Sequence, residues 1–333
     1  MQKTIIFTSG ILVGLLLALF LYFFNIFGSS TASVSSDQNS CNSLSESNYT
    51  ETREPGYELI KPLLECNVGH EFPSISPLEE QIETYLTTHD LSQRSSVYFR
   101  NLDTGAWIGI RETQKTAPAS LVKVLIAMAV YKKAEVDPQL LGTVITYNEE
   151  FKANRNIESN EFALKKGEQK TIEELLERML FYSDNEAADI LSQEINTKYP
   201  GFLTQLQKSF NFDSGGYISF MDYSNLFRFL YNASYLSRKS SEKLLDTLTN
   251  VNFQDGIVKP IPEGVKVAQK FGYFDPKNSL ELKLFNHCGI FYLPENPYLL
   301  CVMIRTQDNS GSELQNAITH AKDISEIVYL YLK

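Results

Sequence analysis

Lysine and arginine never run more than two together in this 333-residue chain, and acidic residues outnumber them 40 to 30, for a formal charge of −10. Phosphate backbones and anionic lipid surfaces reward clustered cations, so nucleic acid and basic-patch membrane binding are excluded as functions. Cysteine is scarce too. Cys41, Cys66, Cys288 and Cys301 stand too far apart for a zinc ribbon or a C-x-x-C redox pair. The four histidines are equally scattered, so neither a metal nor a cofactor is expected. No repeat period is present, which sets solenoids and propellers aside.

Thr4 to Phe27 is a run of 24 residues without a charge. Crossing a bilayer takes about 20 apolar residues. A cleaved leader has an apolar stretch of only about 7 to 15, so residues 1–28 read as an uncleaved transmembrane anchor. Lys3 precedes the run and the next basic residue is Arg53, so the positive-inside bias keeps the N-terminus in the cytoplasm. The expected protein is single-pass in the cell membrane, with residues 29–75 as a polar extracytoplasmic linker and 76–333 as the folded domain. Such a location permits disulfides, and Cys41 and Cys66 can close one near the membrane; four unpaired thiols are the alternative.

The folded region begins with an amphipathic helix in "SPLEEQIETYL", where Ser76 is the expected cap and Pro77 the first helical residue. "SSVYFRNLDTGAWIGIRE" reads as two strands joined by a turn at Asn101 to Gly105. A helical middle follows from Ala119 to about Leu248, including a capping box at Thr171 and Glu174. Strands return in "VKVAQKFGYF", "LELKLFNHCGIFYL" and "YLLCVMIRT", and the chain ends in an amphipathic helix. The simplest assembly is α+β: one five-stranded antiparallel sheet, with the terminal helices on one face and an all-helical subdomain on the other, an α/β/α sandwich.

In "TAPASLVKVLIAMAVYKK", Leu121 to Val130 is apolar on every side except Lys123, so the helix is expected to be buried all round. Burial of a lysine favours its neutral form, and the positive end of a helix pushes the same way. Ser120 is three residues earlier, on the same face. A neutral amine beside a hydroxyl at a helix start, where free N–H groups can hold an oxyanion, makes an activated nucleophile. Ser-x-x-Lys alone is a cheap pattern. A second copy, Ser240 to Lys243, is polar and reads as a solvated helix turn. Two further elements give Ser120 its weight. Ser183, Asp184 and Asn185 stand between two helical runs, and Lys270 and Gly272 stand on a strand followed by two more. Taken singly, the first reads as a helix cap and the second as an exposed strand lysine.

Together and in this order, the three resemble the signatures Ser-x-x-Lys, Ser-Asp-Asn and Lys-Thr-Gly of the class A β-lactamases and the related penicillin-interacting serine DD-peptidases. The resemblance runs from about Ser76 to the C-terminus and implies a β-lactamase/transpeptidase-like fold. It implies a serine hydrolase that forms an acyl-enzyme with β-lactams or D-Ala-D-Ala-type peptides, with a monomeric catalytic domain. Ser120 would be the nucleophile and Lys123 its base. Ser183 would relay a proton to the leaving nitrogen with help from Lys270, and Asn185 would bind the acylamido group. The N–H groups of Ser120 and of Tyr273, the residue after Gly272, would form the oxyanion hole.

Two departures from the family pattern concern activity. The third signature is Lys270-Phe271-Gly272, so the hydroxyl that binds the substrate carboxylate is missing; either Tyr273, Arg305 or another group replaces it, or carboxylate recognition is weak. The interval "NTKYPGFLTQLQKSFNFDSGGYISF" is short and holds no glutamate, whereas class A enzymes carry their deacylation base there. Glu186 and Glu194 lie on the helix after Asn185 and are not assigned this role. Slow deacylation is expected. The competing readings are a D-Ala-D-Ala carboxypeptidase or penicillin-binding protein, and a cell-wall-binding domain without turnover. The tripeptide Asp103-Thr104-Gly105 matches an aspartic-protease signature, but that mechanism needs two such carboxylates, and a hairpin turn accounts for the single copy.

Overall fold

Strands from both ends of the folded region meet in one sheet, in a computed structural model that describes residues 56–61, 75–148, 164–276 and 282–333. The apolar run at Thr4 to Phe27, the linker up to residue 55, Cys41 and Cys66 lie outside the described residues. Among those described, no helix is long and apolar enough to cross a membrane.

In chain order the elements are α1 (Ser76–Thr88), β1 (Ser95–Asn101), β2 (Trp107–Ile110), α2 (Val122–Ala134), β3 (Val144–Thr146), β4 (Gln169–Thr171), α3 (Ile172–Phe181), α4 (Asn185–Lys198), α5 (Phe202–Ser209), α6 (Phe220–Tyr231), α7 (Arg238–Thr249), β5 (Val267–Phe274), β6 (Leu284–Phe291), β7 (Tyr298–Arg305) and α8 (Gly311–Leu332). The main sheet has the order β2-β1-β7-β6-β5 and is antiparallel throughout, the five-stranded arrangement expected. Because side chains alternate across a strand, each strand feeds two cores. Val97, Phe99, Tyr298, Leu300 and Val302 pack with Leu78, Ile82 and Leu86 of α1 and Ile324 and Val328 of α8. Tyr98, Ile290, Leu299 and Met303 join the helical subdomain.

Several local expectations change. Ile75, not Ser76, occupies the α1 cap position, and no side chain caps that end; Pro77 lies in the first turn as expected. The helical middle contains a two-stranded ribbon, β3 paired with β4, that three-residue segments were too short to announce. Thr171 and Glu174 do form the capping box, at the start of α3. Cys288 and Cys301 face each other in register across β6 and β7 and are joined as a disulfide, both fully buried. Residues 56–61, within the stretch expected to be linker, are docked on the folded unit. Leu59 and Ile60 are buried in the helical core, and the Glu242 carboxylate of α7 accepts from the backbone N–H groups of Glu58, Leu59 and Ile60 at 2.8–3.2 Å.

Candidate active site

Ser120 sits in a single 3-10 turn, Ala119–Leu121, that runs directly into α2. Four bonds pin this segment. Thr116 exchanges backbone bonds with Ile218, the Asn286 amide donates to the Ala117 carbonyl at 2.9 Å, and the Tyr223 hydroxyl donates to the Leu121 carbonyl at 3.0 Å. Ala119 is held at φ +49°, a left-handed conformation that non-glycine residues adopt at a cost. Behind the serine, α2 is buried continuously from Lys123 to Tyr131, which is why the lysine cannot reach water.

The Lys123 amine, on a side chain only 2% exposed, is bonded on several sides. It lies 3.1 Å from Ser120 Oγ, 3.2 Å from Ser183 Oγ and 2.6 Å from Asn185 Oδ1, and it also donates to the Ser183 carbonyl. Ser183 turns both its hydroxyl and its carbonyl toward this amine because it is left-handed, with φ +56°. That conformation is held by the next residue. Asp184 caps α4 through the N–H groups of Glu186 and Ala187, and Arg178 of α3 binds the same buried carboxylate. The cap is therefore Asp184, and Ser183 is free for the site.

β5 supplies the opposite wall. Lys270 is fully buried, and its amine lies 2.9 Å from Ser183 Oγ and 2.9 Å from the Phe271 carbonyl. β5 is the sheet edge, bonded on one side to β6. In an antiparallel strand the N–H and C=O of one residue point the same way and the pattern repeats every two residues. The Phe271 carbonyl faces Lys270 and the cleft, so the Tyr273 N–H belongs to that same free edge. Gly272 lies between them, against the turn that carries Ser120. A Cβ there would stand 2.8 Å from Ser120 N and 3.2 Å from Ala119 Cβ, so the backbones can come this close only at a glycine.

Phe271 does not reach into the cleft with a polar group. Its ring stacks on Phe253, with centroids 4.2 Å apart, and lies 4.3 Å from the Lys270 amine, a cation–π contact where the signature has a hydroxyl. Behind it the buried His287 bonds Gln269 at 2.6 Å and accepts from the Ile257 N–H through Nδ1, which leaves its proton on Nε2. Burial holds this imidazole well below its ordinary pKa.

Electrostatics follow from burial. Loss of water pushes the Lys123 amine down to about 7, against the opposing pull of Asp184 and Asp189. Burial also pushes Lys270 far down, and its repulsion with Lys123 adds to that. The two amines and two hydroxyls form one connected chain, Ser120, Lys123, Ser183, Lys270, along which a proton can move.

All seven residues singled out from the sequence come together here. Ser120, Lys123, Asn185 and Tyr273 line a cleft of ≈ 580 Å³, while Ser183, Lys270 and Gly272 form its inner wall. Other readings separate. Arg305 ends β7, two strands in from β5, and does not line the cleft. Glu186 is buried and accepts from the Tyr147 hydroxyl, and Glu194 pairs with Lys198 at 3.0 Å. Asp213, in the short loop before α6, accepts from the N–H groups of Gly215 and Tyr217 and so is used in its own turn. Ser240 caps nothing at the site, and Lys243 faces Glu173 and Glu177 on the surface. Sequence reasoning passed over Asp189, Ser192 and Asn196, which line the cleft at helical spacing from Asn185, and Thr204 and Gln207 of α5. That spacing was a readable signal.

The family model described as the beta-lactamase enzyme family matches residues 77–332. No curated protein matches the chain. Among solved structures, PBP-A is 20% identical, with a TM-score of 0.64 over 78% of this chain and 96% of its own. A mutant of PBP-A, solved as an acyl-enzyme complex with penicillin G, is 21% identical, with a TM-score of 0.65 over 78% and 97%. A class A beta-lactamase from Mycobacterium abscessus is 19% identical, with a TM-score of 0.64 over 77% and 99%. Likeness at this level of identity extends to the fold.

Proposed function

Because the chain belongs to the beta-lactamase enzyme family, we propose that it is a serine hydrolase acylated at Ser120 by β-lactams and D-Ala-D-Ala-type peptides, and that it releases the acyl group slowly. The observation that carries this reading is the buried Lys123 amine, 3.1 Å from Ser120 Oγ and 3.2 Å from Ser183 Oγ. An amine that burial makes costly in a core helix, set between two serine hydroxyls, suits proton transfer.

In this reading neutral Lys123 takes the Ser120 proton as Oγ attacks the carbonyl carbon. The N–H groups of Ser120 and Tyr273 hold the oxyanion. As the C–N bond breaks, the departing nitrogen takes a proton from Ser183 Oγ, which Lys123 replaces; Lys270 bonds the same oxygen and favours an incoming carboxylate. Asn185 orients the acylamido group. The mutant of the similar PBP-A that forms an acyl-enzyme with penicillin G supports the same chemistry. Release then needs water and a base; the loop that holds the class A glutamate has no glutamate here, and its Asp213 is taken up by the N–H groups of Gly215 and Tyr217. A long-lived adduct is the behaviour of a penicillin-binding protein.

We place the domain outside the cytoplasm on an N-terminal anchor. The uncharged run at Thr4 to Phe27 supports this, as does the Cys288–Cys301 disulfide, which suits an oxidising compartment.

The deciding experiment is exposure of the full chain to a fluorescent penicillin, followed by gel and intact mass. One adduct per chain is expected in the wild type and none in Ser120→Ala. Absence of the wild-type adduct overturns the reading, and its disappearance within seconds alongside rapid nitrocefin turnover overturns slow release. The acylation rate is also expected to rise with pH and level off above about 7, where the Lys123 amine has lost its proton. Stopped-flow labelling from pH 5.5 upward checks this, and a flat profile would remove Lys123 as the base.

A further inference from the structure

The cleft extends well beyond the reacting serine. Asn185, Asp189, Ser192 and Asn196 stand at i, i+4, i+7 and i+11 on α4, hence on one face, and all four line the cleft that holds Ser120. Thr204 and Gln207 of α5 line it as well. Counted from Asn185, whose amide meets Lys123, the next three groups lie about 6, 10 and 16 Å further along the helix axis. This is a row of amides and hydroxyls with one carboxylate in it.

Asp189 is the sole acidic residue among those lining the cleft. It is exposed, and among the described residues it makes no hydrogen bond or ion pair. Arg178 is occupied by Asp184. The charged groups acting on Asp189 are Lys123, which attracts it, and Asp184 and Glu186, which repel it. Lys123, held down near 7 by burial, is only about half charged at that pH and is already bonded to two serines and Asn185. A carboxylate so placed is complementary to a cation brought by the ligand. The uncharged groups beyond it match the N–H and C=O groups of an extended peptide, which a compact bicyclic antibiotic does not present at that distance.

We propose that the acyl donor is a peptide carrying an ammonium group, received by Asp189 one helical turn beyond the contact at Asn185, with the chain continuing over Ser192, Asn196, Thr204 and Gln207. This rests on the reading that the scissile carbonyl is placed at Ser120. The ammonium can come from a side-chain amine or from a free α-amine.

Binding separates these sources without requiring turnover. Three peptides ending in L-lysyl-D-alanyl-D-alanine, acetylated on the α-amine, on the side-chain amine or on both, are titrated into full-length Ser120→Ala by calorimetry. An amine-bearing peptide is expected to bind about two- to fivefold tighter than the doubly acetylated one, the worth of an exposed ion pair. The one that keeps the advantage identifies the source. Asp189→Asn should erase the preference, Asp189→Glu should retain it, and salt raised to about 0.5 M should shrink it. Equal binding of all three, a preference that survives in Asp189→Asn, or no binding of any peptide overturns the proposal. The Ser120 adduct with fluorescent penicillin is scored separately, so failure here and failure of the acylation reading are distinguishable.

Discussion

Replacing Lys123 by methionine is expected to slow acylation by about two to four orders of magnitude, the usual worth of a positioned base, and to remove a pH dependence from the protein's stability. Methionine fills a similar space in α2 but cannot take the Ser120 proton. The stability effect has a definite sign. Burial holds Lys123 near 7 in the folded protein, against an ordinary value of 10.5. Between those values the unfolded chain carries a proton that the folded one lacks, so raising pH favours folding. From pH 7.5 to 9.5 the wild type should gain about 2 kcal/mol relative to Lys123→Met, to order of magnitude. Below 7 the folded lysine also charges and the difference levels off. Urea unfolding of both proteins at the two pH values measures this. Lys270 is present in both, and the burial that mainly lowers it is common to both; only the smaller part that comes from repulsion with Lys123 differs. Parallel pH dependences would mean that the native amine stays charged and that the proposed base does not exist.

A single methyl group at position 272 is the second large effect. In Gly272→Ala the new Cβ would meet Ser120 N at 2.8 Å and Leu121 N at 3.3 Å. Both neighbours are backbone, so β5 or the turn that carries Ser120 has to move. Both are constrained, the turn by Thr116, Asn286 and Tyr223 and the strand by its full pairing with β6. Moving β5 carries Lys270 and the Tyr273 N–H with it, and moving the turn carries Ser120. Misplacement of about 1 Å costs roughly a hundredfold in rate, and overpacking costs about 1–3 kcal/mol of stability. Penicillin labelling and thermal melting, measured together, check both. Labelling within a few-fold of wild type would show that the strand and the turn are not the rigid pair described.

The site was legible where chemistry leaves a mark on composition. Lys123 stood out because an ammonium in an apolar helix contradicts its surroundings, and the five strands followed from alternation and turns. What stayed hidden depends on long-range placement. Lys270 meets Ser183 across 87 positions of sequence, and Lys123 meets it across 60, so no local pattern records either bond. The pairing of Cys288 with Cys301 is a matter of register, which becomes definite only when β6 and β7 lie side by side. The left-handed Ser183 was disguised because Ser-Asp-Asn is also an ordinary cap; here the cap is Asp184, and Arg178 six residues upstream secures it. Phe271 was read as a lost hydroxyl. The stacking on Phe253 and the contact with Lys270 are packing facts that a tripeptide does not contain.

The docking of residues 56–61 has a mechanical consequence. Leu59 and Ile60 are sunk in the helical core, Glu242 grips three successive backbone N–H groups, and the Lys61 N–H donates to the Tyr231 carbonyl at 2.6 Å. Tension arriving along the chain from its N-terminal side is therefore shared between α6 and α7 and the near end of the sheet, where the Tyr292 hydroxyl donates to the Leu59 carbonyl at 3.0 Å and Lys61 pairs with Asp103 at 2.8 Å. The load is taken up at residues 56–61, ahead of α1 and of the turn that carries Ser120.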